Sequence, residues 1–389
     1  MFGQKALAYS LITLLGAGGL RLAWGNVDLN FTSPAQSVSQ LSIAESVSSD
    51  NLDFGPRWTP EAEERLRQEV GKVWGDEEVR VPERTEYVKY TQDYRARADV
   101  DFEKGVLVVE TVDTANPVRS LKEAIVSTLL TPGDYTRVDL YSAKDPPQDG
   151  EPFLYGQVRD KDGRPIRFGQ RATAYATDAM QGKIEKRRID VNGREKTVLR
   201  VSIPLDKTHL PQRARKYEQL VTQNAQRFGL AERLIYAIAK TESAFNPFAV
   251  SSAKAYGLMQ VVPTSAGREV REHLTGKDQK PSPKFLLDPA NSIEYGSAYL
   301  HILAGRYFGE IKDAASRELC TIAAYNGGPN AVFGVFGKDQ EAALRRINAM
   351  SPKAVYQRLI SKLPAAETRR YVDKVLKNLE LFTASKNSG

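Results

Sequence analysis

In Leu234-Ile-Tyr-Ala-Ile-Ala-Lys-Thr-Glu242-Ser243, a carboxylate continues an apolar helical stripe. Leu234, Ile235 and Ile238 mark the stripe, and Glu242 follows Ile238 by one turn. A carboxyl group placed there loses hydration and lies at the negative end of the helix, and both effects raise its pKa. A raised pKa suits a general acid, whereas the alternative is a solvated glutamate near a helix end.

Several short motifs follow this glutamate in a fixed order. They are Phe245-Asn246-Pro247, Val250-Ser251, Gly257-Leu258-Met259-Gln260, Ala324-Tyr325-Asn326-Gly327-Gly328 and the late tyrosine Tyr371. With Glu242-Ser243 they form a pattern that resembles the family 1, Slt-type, lytic transglycosylases, whose motifs are Glu-Ser, Gly-Leu-Met-Gln, Ala-Tyr-Asn-x-Gly and a late Tyr. Each motif is weak alone, and their shared order carries the resemblance.

The resemblance implies a one-carboxylate reaction on peptidoglycan glycan strands. Glu242 would protonate the leaving glycosidic oxygen and then, as a carboxylate, accept the proton of the N-acetylmuramyl 6-hydroxyl, which closes a 1,6-anhydro ring. Water is not consumed. A pKa near neutrality serves both steps.

The same resemblance implies a set of substrate-binding residues. They are Ser251, Met259, Gln260, Tyr325, Asn326 and Tyr371. Ser251 matches a family hydroxyl that faces the cleaved sugar, and Ala253 stands where some members carry a second one. Alternatives remain open for three of the six, since Met259 and Tyr371 fit a core and Asn326 fits a helix cap.

A second carboxylate is the usual requirement of glycoside hydrolysis. Asp288 and Glu294 are the candidates near the motifs, but they lie where a loop leads into a capped helix. A structural role is therefore the favoured interpretation for both.

Composition limits the class of protein and its partners. The composition, 41% hydrophobic and 26% charged residues, is ordinary for globular proteins. The length of 389 residues is too great for one ordinary domain, so two domains are expected. The net charge of +7 favours an anionic partner. No block of lysine and arginine stands out as a nucleic-acid arm, so nucleic acid is not an expected partner.

Cysteine and histidine are too few for metal chemistry. A single cysteine, Cys320, excludes an intrachain disulfide, and the three histidines lack ligand spacing. We expect no metal and no cofactor. Cys320 lies in a helical segment, where a buried, inert thiol is the favoured interpretation.

The N-terminus is typical of an exported protein. An apolar run precedes Ala23-Trp24-Gly25, so residues 1–25 are predicted to be a signal peptide or, alternatively, a membrane anchor. No cysteine follows the run, and lipid attachment is not expected. In this the chain departs from the membrane-bound murein transglycosylase C group, to which it is similar in layout. Residues 26–57, rich in Ser, Asn and Gln, are predicted to be a flexible linker.

Residues 58–207 are predicted to form an α+β accessory domain. Thr59 and Pro60 start a helix that ends near Gly75. The other predicted elements are strands at 96–102, 106–112, 154–158, 171–175, 186–191 and 196–203, and a helix at 120–130. The layout resembles a cystatin- or NTF2-like antiparallel sheet. Its role is either substrate binding or the spacing of the enzyme from a membrane, and its arginines could meet anionic wall polymer: Arg95, Arg97, Arg187 and Arg188.

Residues 208–389 are predicted to form an all-α lysozyme-like catalytic domain. Pro211 starts one helix and Gly229 stops it, and the Glu242 helix follows. Further helical periods cover 293–308, 315–325, 340–347 and 366–382. The expected function is a lytic murein transglycosylase of the periplasm or cell envelope. A hydrolytic muramidase and a non-catalytic glycan-binding module are the alternatives.

Overall fold

The computed structural model describes residues 59–384. The predicted signal peptide or anchor at 1–25 and the predicted linker at 26–57 lie outside the described residues. None of the helices between residues 59 and 384 has the length and the apolar character needed to cross a membrane.

A five-stranded antiparallel sheet organises the first half of the described chain. The strands are β1 Glu86–Thr91, β2 Ala96–Asp101, β3 Val106–Thr111, β4 Glu185–Val191 and β5 Arg194–Pro204, in the order β1-β2-β3-β5-β4. Both predicted hairpins, β2–β3 and β4–β5, are confirmed. Asn192 and Gly193 turn the second one with positive φ of 54° and 77°, the backbone that a two-residue hairpin turn requires.

Three helices pack with this sheet: α1 Pro60–Trp74, α2 Pro117–Leu130 and α3 Gly169–Met180. The Thr59 hydroxyl accepts a hydrogen bond from the Ala62 amide at 3.2 Å and caps α1, as predicted. Helix α1 buries Leu66, Val70 and Trp74 on one face. The predicted α+β class with an antiparallel sheet is confirmed.

Two of the predicted strands are wrong, and one strand was missed. Residues 171–175 lie within α3, because Ala172 and Ala176 recur at helical spacing and are both fully buried. Residues 154–158 form turns. Strand β1 was not predicted, since its five consecutive buried residues show no alternation.

A buried ion cluster crosses the sheet. Arg97 is only 1% exposed, pairs with Glu110 and lies over the Trp74 ring, 4.6 Å from its centroid. Arg187 bridges Glu110 at 2.9 Å and Glu78 at 2.6 Å. The prediction that Arg97 could meet wall polymer is therefore wrong, because both faces of β2 are covered. Arg187 is likewise engaged within the sheet, whereas Arg188 is exposed.

The second half of the described chain is helical. Its helices are α4 His209–Arg215, α5 Glu218–Phe228, α6 Glu232–Ser243, α7 Arg268–Thr275, α8 Pro283–Leu287, α9 Pro289–Ile302, α10 Ala314–Gly327, α11 Pro329–Phe336, α12 Gln340–Asn348, α13 Pro352–Lys362 and α14 Ala366–Ala384. Pro211 lies inside α4, and a break at Tyr217 separates α4 from α5, so the single predicted helix is two. Gly229 ends α5 with φ of 64°, as predicted.

The hydrophobic cluster of the sheet extends into the helical half, which has clusters of its own as well. Ala244 and Phe248, which follow the Glu242 helix, belong to the hydrophobic cluster of the sheet. The Phe248 ring lies 5.3 Å from Tyr87 and 5.5 Å from Phe153, centroid to centroid. The buried Arg213 guanidinium donates 3.0 Å hydrogen bonds to the carbonyls of Phe102 and Ala244. The predicted boundary between 58–207 and 208–389 stays a prediction, but the loop that follows the Glu242 helix packs against the sheet half through Ala244 and Phe248.

Removing one member of the buried ion cluster should destabilise the sheet. Glu110→Ala removes the buried carboxylate that pairs with both Arg97 and Arg187 and leaves Glu78 as their remaining partner. We therefore expect the free energy of unfolding to fall by about 3 kcal/mol. The measurement is urea unfolding followed by far-UV circular dichroism. Glu185→Ala removes an exposed carboxylate from β4 and is the control, for which we expect a change under about 0.5 kcal/mol. Equal effects of the two substitutions would contradict this account of the cluster.

Candidate active site

Glu242 lies one residue before the end of α6 and is 4% exposed. The helix ends there because Ala244 and Phe245 adopt left-handed backbone, with φ of 49° and 59°. Such backbone is costly for residues other than glycine and is found where the surroundings impose it. Ala244 is buried in the hydrophobic cluster of the sheet and Phe245 in that of the helical half, and this packing holds the turn directly after the carboxylate.

Burial dominates the proton affinity of Glu242. Loss of hydration raises the pKa of this carboxyl to about 7. The Tyr371 hydroxyl and the charges of Arg84 and Lys374 lower that pKa, whereas the charge of Glu367 raises it. The prediction of a poorly hydrated carboxyl at this position is therefore confirmed, and at neutral pH both of its protonation states are populated.

Tyr371 stands beside this carboxyl on α14. The tyrosine is 5% exposed, and its hydroxyl lies close enough to Glu242 to affect the carboxyl. The geometry between the two groups is not that of a formed hydrogen bond, and the hydroxyl has no other hydrogen-bond partner in residues 59–384. Burial and the negative charge of Glu242 raise the pKa of Tyr371 well above its usual value. Tyr371 is therefore a neutral hydroxyl at the carboxylate.

Ser243 connects the end of α6 to the Gly-Leu-Met-Gln loop. Its hydroxyl donates to the Leu258 carbonyl at 2.8 Å and accepts from the Phe245 amide at 3.1 Å. In that loop Gly257 has φ of 77°, and a Cβ there would lie 2.1 Å from the Leu286 carbonyl oxygen. Only glycine fits, so the loop can pass close to α8 and α9.

The two loop residues predicted to bind substrate differ in placement. Met259 is fully buried and packs against Gly296 on α9. Its side chain is part of the core, which is the alternative that the sequence left open, and does not line a substrate groove. Gln260 is 7% exposed and has φ of 50°. Its amide nitrogen donates to the carbonyls of Gly257 at 2.9 Å and Ala249 at 3.1 Å. Its Oε1 is buried without a hydrogen-bond partner in the described part of the chain.

Helix α10 brings the Ala-Tyr-Asn motif to the same place. The Tyr325 hydroxyl donates to the Met259 carbonyl at 2.8 Å, and burial followed by the charge of Glu242 raises its pKa. Asn326 is half-buried and accepts a 2.7 Å hydrogen bond from the Thr368 hydroxyl through Oδ1. The helix is capped by Gly328, so Asn326 lies in its last turn. Its amide nitrogen forms no hydrogen bond among residues 59–384.

Ser251 holds a turn at the edge of this site. Its hydroxyl accepts from the Ala255 amide at 3.0 Å, and the residue is half-buried. Glu242 interacts with Tyr371 and with Tyr325, and the Tyr325 hydroxyl contacts the Met259 carbonyl. Among residues 59–384, no hydrogen bond or ion pair joins Ser251 to Glu242.

The two carboxylates considered as alternatives have structural roles. Asp288 caps α9 by accepting from the Asn291 amide at 3.0 Å, and Glu294 pairs with Arg227. Cys320 is fully buried, which raises the pKa of its thiol, as expected of an inert side chain. Between residues 59 and 384, no group of three or more His, Cys, Asp or Glu side chains is placed to hold a metal ion.

Sequence reasoning missed four residues around the carboxylate. Glu367 and Lys374 share the α14 face of Tyr371, and their helical spacing from it was a usable signal. Asn246 stood in a motif without an assigned role. Arg84 comes from the sheet half, 3.5 Å from Glu242 through Nη1, and no local pattern points to it.

The raised pKa of Glu242 predicts a pH-dependent stability difference. A carboxyl whose pKa is higher in the folded chain favours folding below its unfolded value of 4.5, and that contribution is lost as the pH rises through about 7. Glu242→Gln lacks this loss, so we expect its stability relative to the wild type to increase by about 3 kcal/mol between pH 4 and pH 8.5. Chemical unfolding at the two pH values measures the difference. The exposed Glu341→Gln on α12 is the control, and a pH-independent effect of Glu242→Gln would refute the raised pKa.

Comparison with known protein families gives two matches. Residues 58–216 match the N-terminal domain of membrane-bound lytic murein transglycosylase C, and residues 219–348 match the transglycosylase SLT domain. The first match covers the sheet and α4. The second contains Glu242 and the motifs up to Ala-Tyr-Asn, whereas Tyr371 lies beyond it.

Curated relatives extend across most of the chain. The membrane-bound lytic murein transglycosylase C of Yersinia enterocolitica is 44% identical over 307 residues, which are 79% of this chain and 84% of the relative. The Yersinia pestis protein of the same name has the same identity and coverage. Among solved structures, the lytic transglycosylase Slt of Pseudomonas aeruginosa is 27% identical, covers 44% of this chain and 24% of its own, and has a TM-score of 0.34. The family matches and the curated relatives confirm the resemblance carried by the motifs, and the SLT match confirms the class of the helical domain. The chain belongs to the membrane-bound lytic murein transglycosylase C family of enzymes.

Proposed function

We propose that this chain cleaves the β-1,4 bond between N-acetylmuramic acid and N-acetylglucosamine in peptidoglycan without consuming water, and that it leaves 1,6-anhydro-N-acetylmuramic acid ends. One observation carries the proposal. The buried Glu242 carboxyl, with its pKa raised to about 7, can both give and accept a proton at neutral pH.

In the first step Glu242 acts as the acid. Its proton passes to the glycosidic oxygen while the bond from that oxygen to C1 of the muramyl residue breaks. Positive charge then develops on the muramyl ring. Because Glu242 is shielded from water, its protonated form is available at a pH where an ordinary glutamate would be ionised.

In the second step the same group acts as the base. The Glu242 carboxylate accepts the proton of the muramyl C6 hydroxyl, and the C6 oxygen forms a bond to C1. Atoms balance without water, since one proton leaves Glu242 and one returns. Tyr371, as a neutral hydroxyl beside the carboxylate, can stabilise its ionised form between the two steps.

Three other polar groups are proposed to hold the glycan. They are the hydroxyl of Ser251, the Oε1 of Gln260 and the amide nitrogen of Asn326. Gln260 is fixed by two hydrogen bonds through its nitrogen, which leaves its oxygen oriented. Tyr325 supports the loop through the Met259 carbonyl, and Met259 contributes backbone and core packing.

Hydrolysis by the same site would need a base or nucleophile across the sugar ring. Among the described residues, Glu367 is the other carboxylate whose charge acts on Glu242. Its side chain is 66% exposed and lies 3.9 Å from Arg84, so it is a solvated partner of that arginine. Activation of a water molecule by a buried second carboxylate is therefore disfavoured.

The proposed location is the cell envelope, where peptidoglycan lies. The relatives carry "membrane-bound" in their names, and we propose that residues 1–25 export this chain and either leave it in the periplasm or anchor it. The division into an accessory domain at 58–207 and a catalytic domain at 208–389 is proposed from the two family matches, at 58–216 and 219–348. The hydrophobic cluster of the sheet reaches across the proposed boundary.

Glu242→Gln should abolish the reaction while preserving the fold. We expect release of soluble muropeptides from purified sacculi to fall at least about 100-fold, since the amide can neither donate nor accept the proton. Chromatography with mass detection measures both rate and product. Wild-type products should be anhydromuropeptides, lighter by one water than reducing-end products. Asp288→Asn is the matched control, with near wild-type activity. An active Glu242→Gln or reducing-end products from the wild type would contradict the proposal.

Glu367→Gln separates the two reaction types. If Glu367 only modulates charge, the variant should keep anhydro products as its main product, with activity within about tenfold of the wild type. A catalytic base of hydrolysis would instead lose about 100-fold or more. The same chromatographic assay distinguishes these outcomes.

A further inference from the structure

Arg84 reaches the buried carboxylate from outside the helical domain. It lies in the segment 79–85 that precedes β1, and its Nη1 is 3.5 Å from Oε2 of Glu242. The Glu242 side chain is 6% exposed and that of Arg84 is 38% exposed. The cation therefore acts on a group that bulk water shields poorly, while its own outer edge remains hydrated.

The segment that carries Arg84 is fixed by a residue next to the carboxylate. Asn246 is fully buried and follows Glu242 by four positions. Its Nδ2 donates to the carbonyls of Arg84 at 3.1 Å and Glu83 at 3.3 Å, and its Oδ1 accepts from the Phe248 amide at 3.0 Å. The loop after α6 thus fixes the position of the Arg84 backbone relative to Glu242.

The other groups facing Glu242 do not replace this pair. Lys374 on α14 forms its ion pair with Glu103 of the β2–β3 turn at 2.6 Å. Tyr371 and Tyr325 are neutral, and Glu367 has the opposite effect to a cation. Among the described residues, Arg84 is the one cation in ion-pair contact with Glu242.

We propose that Arg84 is a positioning residue of the sheet domain for Glu242: its guanidinium stabilises the ionised carboxylate and so sets the pH at which Glu242 exchanges its proton. This inference rests on the proposed function of Glu242. It makes the sheet domain a part of the active site, because the helical domain alone lacks this charge.

The sign of the effect follows from the pair. Arg84 favours the ionised form, so its removal raises the pKa of Glu242 above the wild-type value. The acid step then extends to higher pH, whereas the carboxylate that must accept the muramyl proton is less populated at neutral pH. The kcat/KM profile should shift its descending limb to higher pH.

Direct titration tests the inference without relying on activity. The proteins are labelled with ¹³C at the glutamate carboxyl, and Glu242→Gln identifies the signal of Glu242 by its absence. In Arg84→Gln we expect the titration midpoint of Glu242 to rise by about half a pH unit or more. Arg84→Lys keeps the charge, so its Glu242 midpoint should lie between those of Arg84→Gln and the wild type. Arg80→Gln removes a cation from the same segment that pairs with Asp99, and it should leave the midpoint unchanged.

An unchanged Glu242 midpoint in a folded Arg84→Gln, checked by its thermal unfolding, would overturn the inference. A shift of equal size in Arg80→Gln would overturn it as well, since the effect would then be a general one of charge. The pH profile of muropeptide release gives the second readout. Full activity of Glu242→Gln would refute the proposed function instead, while the titration would still decide the role of Arg84.

Discussion

The dehydration of one carboxyl group is the constraint on which this structure depends. Glu242 lies on the buried face of α6, one residue before its end, and after Ser243 the chain turns through two residues of left-handed backbone that pack into the clusters of the two halves. The carboxyl is only 4% exposed, and this loss of hydration raises its pKa to about 7. A solvated glutamate would be ionised at neutral pH and would have no proton to give. The helices and loops around Glu242 serve to keep this group dry and to place polar side chains beside it.

The sheet half of the chain is part of this arrangement. The hydrophobic cluster of the sheet half includes Phe248 of the helical half. Arg213 donates hydrogen bonds to the carbonyls of Phe102 and Ala244 and so connects the two halves. Two ion pairs also cross between them, Glu103 with Lys374 and Glu63 with Lys254. An independent spacer would not need contacts on both sides of Glu242. The interface instead fixes the backbone behind Glu242 and brings Arg84 to its carboxylate. We therefore interpret the α+β domain as a support for the backbone and the charge around Glu242.

Local patterns predicted much of this, and tertiary contacts account for what they missed. The helix around Glu242, the glycine turn at Gly257 and the hairpin at Asn192-Gly193 depend on backbone preferences that neighbouring residues reveal. The role of Met259 could not be decided, because a buried methionine and a sugar-facing one have the same local pattern. Arg97 was misjudged for a related reason: alternation suggested a solvent face that α1 and Glu110 cover. Arg84 lies 158 positions before Glu242, and no periodicity joins residues so distant in the chain.

The protonation midpoint of Glu242 in the wild-type protein tests the central claim most directly. It is measured by ¹³C resonance of the labelled carboxyl across the acid and neutral range. The structure predicts a midpoint near 7, well above the ordinary glutamate value of 4.5. A midpoint close to 4.5 would show a hydrated carboxylate, and the account of Glu242 as an acid that regains its own proton would be contradicted.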